Sequence, residues 1–225
     1  MKFTPNLTRS EVKSGLIAMA LCLFVVPGVL DAVLGDPGAA MLNFTSFFIS
    51  AAAIVYILRR FLLRSLRLAM AHPFYTVYYA CLGYLAHMAL TRMVTMGIFL
   101  IDPGFLNLND QNVTSQLHSN LGLMAVTTVV LAPIAEECFF RGLLFRGFYD
   151  RSPVLAWAVS MGLFAAIHVV SYIGTYSPLA LVLAFVQYLP AGAALCFAYR
   201  HGGTILSPIL AHAIINGMAL YTTLR

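Results

Sequence analysis

The chain has 225 residues, of which 61% are hydrophobic and only 9% charged, against the roughly 25% charged that is usual for a soluble domain. That excludes a soluble globular protein and leaves a polytopic membrane protein. The formal charge of +5 is no argument for a nucleic-acid partner, because the basic residues fall at the ends of apolar runs and no base-reading motif accompanies them.

The N-terminus, MKFTPNLTRSEVKSG, is basic and precedes a long apolar run. It reads as the lead into a first transmembrane helix rather than a signal peptide: the run is long, contains Pro27, and is closed by no A-x-A cleavage site. A span needs about 20 mostly apolar residues, and seven segments meet this: Gly15 to Leu34, Ala40 to Leu58, Phe74 to Ile101, Leu121 to Phe145, Val154 to Tyr172, Pro178 to Tyr199 and Thr204 to Thr222. Turn residues or charges fill the gaps, among them Asp36-Pro37-Gly38, His72-Pro73, Ser152-Pro153 and His201-Gly202-Gly203.

Lys and Arg collect in short cytoplasmic loops, and here they alternate. Lys2, Arg9 and Lys13 precede the first segment; Arg59, Arg60, Arg64 and Arg67 follow the second, Arg146 and Arg151 the fourth, and Arg200 the sixth. Asp31, Asp36, Asp102 and Asp110 mark the opposite ends, where the terminal Arg225 is the exception. The expected architecture is all-α, with about seven spans (six to eight), a cytoplasmic N-terminus and a C-terminus outside, in a bacterial cytoplasmic membrane.

Arg59 to Met70 reads as an interfacial amphipathic helix, and the Asn-rich stretch from Asp102 to Asn120 as a solvent-exposed polar loop. Cys22, Cys81, Cys138 and Cys196 are scattered singly and read as small buried hydrophobes. Asn6, Asn43 and Asn112 head N-x-T triplets that read as chance matches. With no internal repeat, residues 1–225 form one transmembrane domain, and residues 121–218 hold its motif core.

That core starts in LAPIAEECFFRGLLFRGF, Leu131 to Phe148. Intramembrane Glu and Arg are costly and imply function with nearby partners. Successive helical residues lie about 100° apart, so Glu136 and Glu137 face different ways. Arg141, four residues after Glu137, is placed for an ion pair with it, which leaves Glu136 facing elsewhere. Phe164 and His168 share one stripe of a later segment, and His212 and Asn216 share one of another. If these faces converge, a low-dielectric pocket holds a carboxylate, two imidazoles and a carboxamide. Such a pocket suits water activation by a desolvated Glu beside a His, with donors for an oxyanion. His87 and Arg92 read as structural or cavity-lining, and Gln187 and Tyr188 as interhelical glue.

At these residues the sequence resembles the CPBP intramembrane proteases, the CAAX-protease and bacteriocin-processing or Abi family. Its Glu-Glu-x-x-x-Arg motif matches Glu136, Glu137 and Arg141; its Phe-x-x-x-His motif matches Phe164 and His168; its His-x-x-x-Asn motif matches His212 and Asn216. The resemblance covers about Leu121 to Met218. It implies a membrane-embedded endopeptidase in which Glu136 and His168 activate water, His212 and Asn216 hold the oxyanion, and Glu137, Arg141 and Phe164 give structural support.

No cofactor is implied on that mechanism. An older view of the family makes it zinc-dependent, with His168 and His212 as ligands. The expected partners are a protein or peptide substrate and the lipid bilayer, with no nucleic acid. The rival readings are a noncatalytic bacteriocin-immunity or scaffold protein of the same fold, and a transporter with a Glu/His proton relay, which should show inverted-repeat symmetry. One tension remains in this layout: Glu136 lies toward the cytoplasmic half of the fourth span and His168 toward the outer half of the fifth. A fourth span placed later, with Arg146 and Arg151 at the interface, brings the two together.

Overall fold

The computed structural model describes residues 7–225; Lys2 and Asn6 lie outside them. Helices α1 (Arg9–Phe24), α2 (Val26–Leu34), α3 (Ala39–Ile57), α4 (Arg59–Ala71), α5 (Pro73–Ile101), α6 (Leu108–Ser119), α7 (Leu121–Tyr149), α8 (Pro153–Ile167), α9 (Pro178–Gly202) and α10 (Leu206–Thr223) account for nearly all of the chain, and no strand is present among the described residues. An all-helical integral membrane protein is the architecture, as the composition requires. In lipid each backbone amide must be satisfied within its own segment, which a helix does.

The span pattern is more irregular than seven uniform segments. α3, α5, α7 and α9 are long and apolar enough to cross a membrane, and a fifth crossing is added if α1 and α2 count as one. These two meet at a 44° bend. Pro27 explains the break, since it cannot donate into the helical ladder. The segment expected over Val154 to Tyr172 is a 15-residue helix that ends at Ile167, followed by a short 3₁₀ turn over Val170–Tyr172.

Side chains start the helices where water or other helices leave amides open. Thr8 and Glu11 form a reciprocal capping box on α1. Ser152 and Ser177 accept from the amides of Leu155 and Ala180, each directly before a proline at the first helical position of α8 or α9. Gly203, at φ 73°, ends α9 in the left-handed conformation that favours glycine.

The fourth span is the centre of the bundle. Half of the most apolar window of α7 is buried inside the protein, against 6% for α5, so α5 faces lipid and α7 is enclosed. α7 packs against α1, α3, α8, α9 and α10, while α9 lies along both α5 and α8. Two stretches of α7, Thr127–Leu131 and Cys138–Phe145, are π-helical. At the first, the amide of Ala132 bonds the Thr127 carbonyl five residues back, next to Pro133, which has no amide to give. Inside the second, the Ser160 hydroxyl of α8 donates to the Phe140 carbonyl at 2.9 Å.

Basic groups gather at one end of the bundle. Arg9, Lys13 and Arg146 border one hollow there, and Arg59 and Arg60 another. α4 lies at that end, burying Phe61, Ser65 and Ala69. The expected exposed loop from Asp102 to Asn120 is instead largely the helix α6, with Gln116 and Leu117 buried. Asn107 caps it, and the Asn43 amide of α3 donates to Gln116 at 2.8 Å. Of the cysteines, Cys81 is exposed and the other three are buried.

α8 and α9 cross at Gly192, where an added Cβ would lie 3.0 Å from the Cα of Met161. Gly192→Ala is therefore expected to destabilise the protein by about 1–3 kcal/mol through overpacking. Gly97→Ala, where nothing lies within 4 Å, should leave the melting temperature in detergent unchanged or raised.

Candidate active site

The site is built on the turn of α7 between its two π-helical stretches. Glu137 and Arg141 are both fully buried, and the guanidinium Nη1 donates to Glu137 Oε1 at 2.8 Å. Arg141 Nη2 donates to the Gly192 carbonyl of α9 at 3.0 Å, and the guanidinium carbon lies 4.6 Å from the centre of the Phe164 ring. The charge is thus met by a carboxylate, a carbonyl and a ring face. The spacing-based expectation of a Glu137–Arg141 pair is what the structure contains.

Glu137 Oε1 also accepts from Nδ1 of His212 on α10 at 2.8 Å. Glu137 therefore joins α7 to α10 while Arg141 joins α7 to α9. The Phe164 ring contacts both imidazoles, 5.9 Å from His212 and 4.7 Å from His168, centre to centre. Five motif residues from three helices, Glu137, Arg141, Phe164, His168 and His212, are thereby contiguous.

His168 does not sit within its helix but caps it, with Nδ1 2.7 Å from the Phe164 carbonyl. A carbonyl only accepts, so Nδ1 carries the proton and Nε2 is left for other chemistry. On its other side His168 stacks on Tyr188 of α9, with ring centres 4.4 Å apart and planes at 26°. The Tyr188 hydroxyl donates to Asp110 Oδ1 at 2.8 Å and accepts from Asn109 Nδ2 at 2.8 Å. Beside it, Asn107 Nδ2 donates to Gln187 Oε1 at 2.7 Å. Gln187 and Tyr188, expected to act as interhelical glue, do tie α9 to α6 and its cap, and Tyr188 also contacts a motif histidine. Sequence spacing carried no signal for that contact, because His168 lies beyond the regular end of α8.

Glu136 stands apart from this network. It is 8% exposed, and its Oε2 is buried with no hydrogen-bond partner among the described residues. Asn216 is also separate from the imidazoles: its Nδ2 donates to the Thr128 carbonyl in the first π-helical stretch at 2.7 Å, which leaves its second amide proton uncommitted. As to the zinc alternative, no group of three or more His, Cys, Asp or Glu side chains suited to hold a metal is gathered among the described residues.

The end of α7 also bears on the tension in the sequence layout. The helix continues past Phe145 to Tyr149, and Arg146 pairs with Asp150 at 2.8 Å where it ends. The fourth span thus keeps its expected start at Leu121 and runs four residues past its expected end.

Residues 118–218 match the Rce1-like family, described as type II CAAX prenyl endopeptidase Rce1-like. This agrees with the resemblance carried by the three motifs, all of which lie inside the matched region. It is a family of proteases, and the match falls on a helical membrane bundle, which supports a peptidase reading of this core. No curated protein and no solved structure matches the chain.

Removing one member of a buried ion pair costs about 3–5 kcal/mol because the other charge is left uncompensated, whereas replacing both with apolar groups is far milder. Arg141→Met should therefore melt well below the parent in detergent. The double variant Glu137→Leu/Arg141→Met should recover much of that loss.

Proposed function

We propose that the protein is an intramembrane endopeptidase that hydrolyses a peptide bond of a membrane-associated protein or peptide, with Glu136 as the general base. One observation carries this reading: the buried Glu136 carboxylate, whose Oε2 has no partner among the described residues, stands one residue from a carboxylate whose Oε1 holds both Arg141 and His212. A buried, unpartnered polar group is costly and belongs where a reactant completes its hydrogen bonding. The second glutamate has a structural duty, and the first is left for chemistry.

In the proposed sequence a water held between Glu136 and Nε2 of His168 gives a proton to Glu136, and the hydroxide attacks the scissile carbonyl carbon. His212 in its doubly protonated form, held through Nδ1 by Glu137, donates from Nε2 to the oxyanion, and the free amide proton of Asn216 donates beside it. The proton on Glu136 then passes to the leaving amine, the C–N bond breaks, and the products are a carboxylic acid and an amine. Phe164 packs against both imidazoles, and Arg141 holds Glu137 in place as the anchor for His212. No metal enters these steps. A bacterial cytoplasmic membrane is the proposed setting, with the substrate arriving from the bilayer or an aqueous face.

The test compares membrane-peptide termini by mass spectrometry in cells lacking the protein, complemented at equal abundance with the parent or with Glu136→Gln. Termini that appear with the parent alone are expected, since loss of a general base costs about 10²–10⁴-fold in rate. Identical termini, with the cellular phenotype rescued by both forms, would establish the noncatalytic scaffold role instead.

The stack on His168 leads to a second expectation. Tyr188→Phe keeps the ring face and should retain most of the cleavage rate. Tyr188→Leu removes an aromatic contact worth about 0.5–1.5 kcal/mol and should lower kcat by up to about tenfold; equal rates for the two variants would show that the stack does not position the imidazole.

A further inference from the structure

An open cavity of about 520 Å³ lies between the C-terminal end of α5, the segment before α6, α6 itself and α9. Ile98 and Phe99 supply an apolar wall, and Asn107, Asp110, His118 and Gln187 supply polar groups. The volume falls within the roughly 300–1,000 Å³ of ligand pockets. The cavity is physically joined to the candidate active site. Asp110 and Gln187 line it, Asp110 holds the hydroxyl of Tyr188, and Tyr188 stacks on His168.

Its charge is one-sided. Asp110 is the acidic residue of the lining, and among the described residues no Lys or Arg lines the cavity. Burial pushes the Asp110 carboxyl above its ordinary range, while the Tyr188 hydrogen bond and the nearby His168 pull it back without cancelling the effect. A cation placed here would stabilise the ionised form.

We propose that this cavity is a substrate subsite that takes two or three residues of a peptide, an apolar side chain against Ile98 and Phe99 and a basic group against Asp110. The choice of a peptide as occupant rests on the peptidase reading above. A phospholipid is disfavoured by charge, since its phosphate would face Asp110. Asp110 is then the residue that selects basic over acidic sequence, and the selection is made on the helix that also holds Tyr188 against His168.

The test is a binding measurement on the full-length Glu136→Gln protein in a nonionic detergent, so that cleavage does not enter. Two dye-labelled peptides, Leu-Leu-Lys-Leu-Leu and Leu-Leu-Glu-Leu-Leu, are titrated by fluorescence anisotropy. The lysine peptide is expected to bind about fivefold tighter, the scale of one charge pair at a partly exposed site. Adding Asp110→Asn, whose side-chain oxygen still accepts from Tyr188, should abolish the preference. Ser115→Lys, on the exposed wall of the same cavity, should abolish it independently of any effect on Tyr188. Equal affinities in the Asp110 protein, the result if lipid alone fills the cavity, or a preference that survives both substitutions, overturns the proposal. The outcome stands apart from the peptidase reading: a lysine preference in a parent protein that generates no new termini would retain the subsite and remove the enzyme.

Discussion

The fold depends on one buried charge pair. Glu137 and Arg141 are fully enclosed at the centre of the bundle, where lipid and packed side chains offer no solvent to screen them. Two ions in such a place are tolerated only when geometry returns what desolvation removes. Here each charged group makes more than one contact. Glu137 takes donors from Arg141 and His212, and Arg141 reaches Glu137, the Gly192 carbonyl and the Phe164 ring. Those partners come from α7, α8, α9 and α10, so satisfying a single pair fixes the relative positions of four helices.

The neighbouring Glu136 inherits its situation from this. Because the Arg141 charge is already met, Glu136 has no cation to collapse onto, and its outer oxygen stays without a partner. The same geometry holds the two imidazoles against Phe164, each with Nδ1 occupied by a local acceptor. Both Nε2 atoms are therefore the ends left available. One helix turn thus contains a structural carboxylate and a solitary one, distinguished by what surrounds them rather than by residue type.

Much of this was legible in the sequence because charge is scarce in it. In a chain with 9% charged residues, a Glu pair followed by Arg four residues on has few partners to choose from. The i,i+4 rule placed Glu137 on Arg141, and the apolar runs placed the histidines on neighbouring helices. Three features were not legible. The polar segment Leu108–Ser119 has no amphipathic pattern, and it is helical because Asn107 caps it and because Asn43, Gln187 and Tyr188 bond to it or its cap from other helices. The early end of α8 put His168 at a cap, where helical spacing no longer describes its neighbours. The bend after Phe24 and the short α8 made the spans unequal, since hydropathy records apolar length and not continuity of the helix.

The two π-helical stretches of α7 bracket the Glu136–Glu137 turn. A π turn closes its hydrogen bond over one residue more than an α turn, so each stretch carries surplus sequence relative to a regular helix. Loss of one residue from Cys138–Phe145 would let that stretch relax to α-helix with the helix beyond it near its present facing, while residues inside the stretch change register against the glutamates. Circular dichroism would register almost no change, yet a loss ahead of Arg141 would change its register with Glu137. The length of α7 is therefore part of the site, and an insertion or deletion between its π stretches acts there as a change of site.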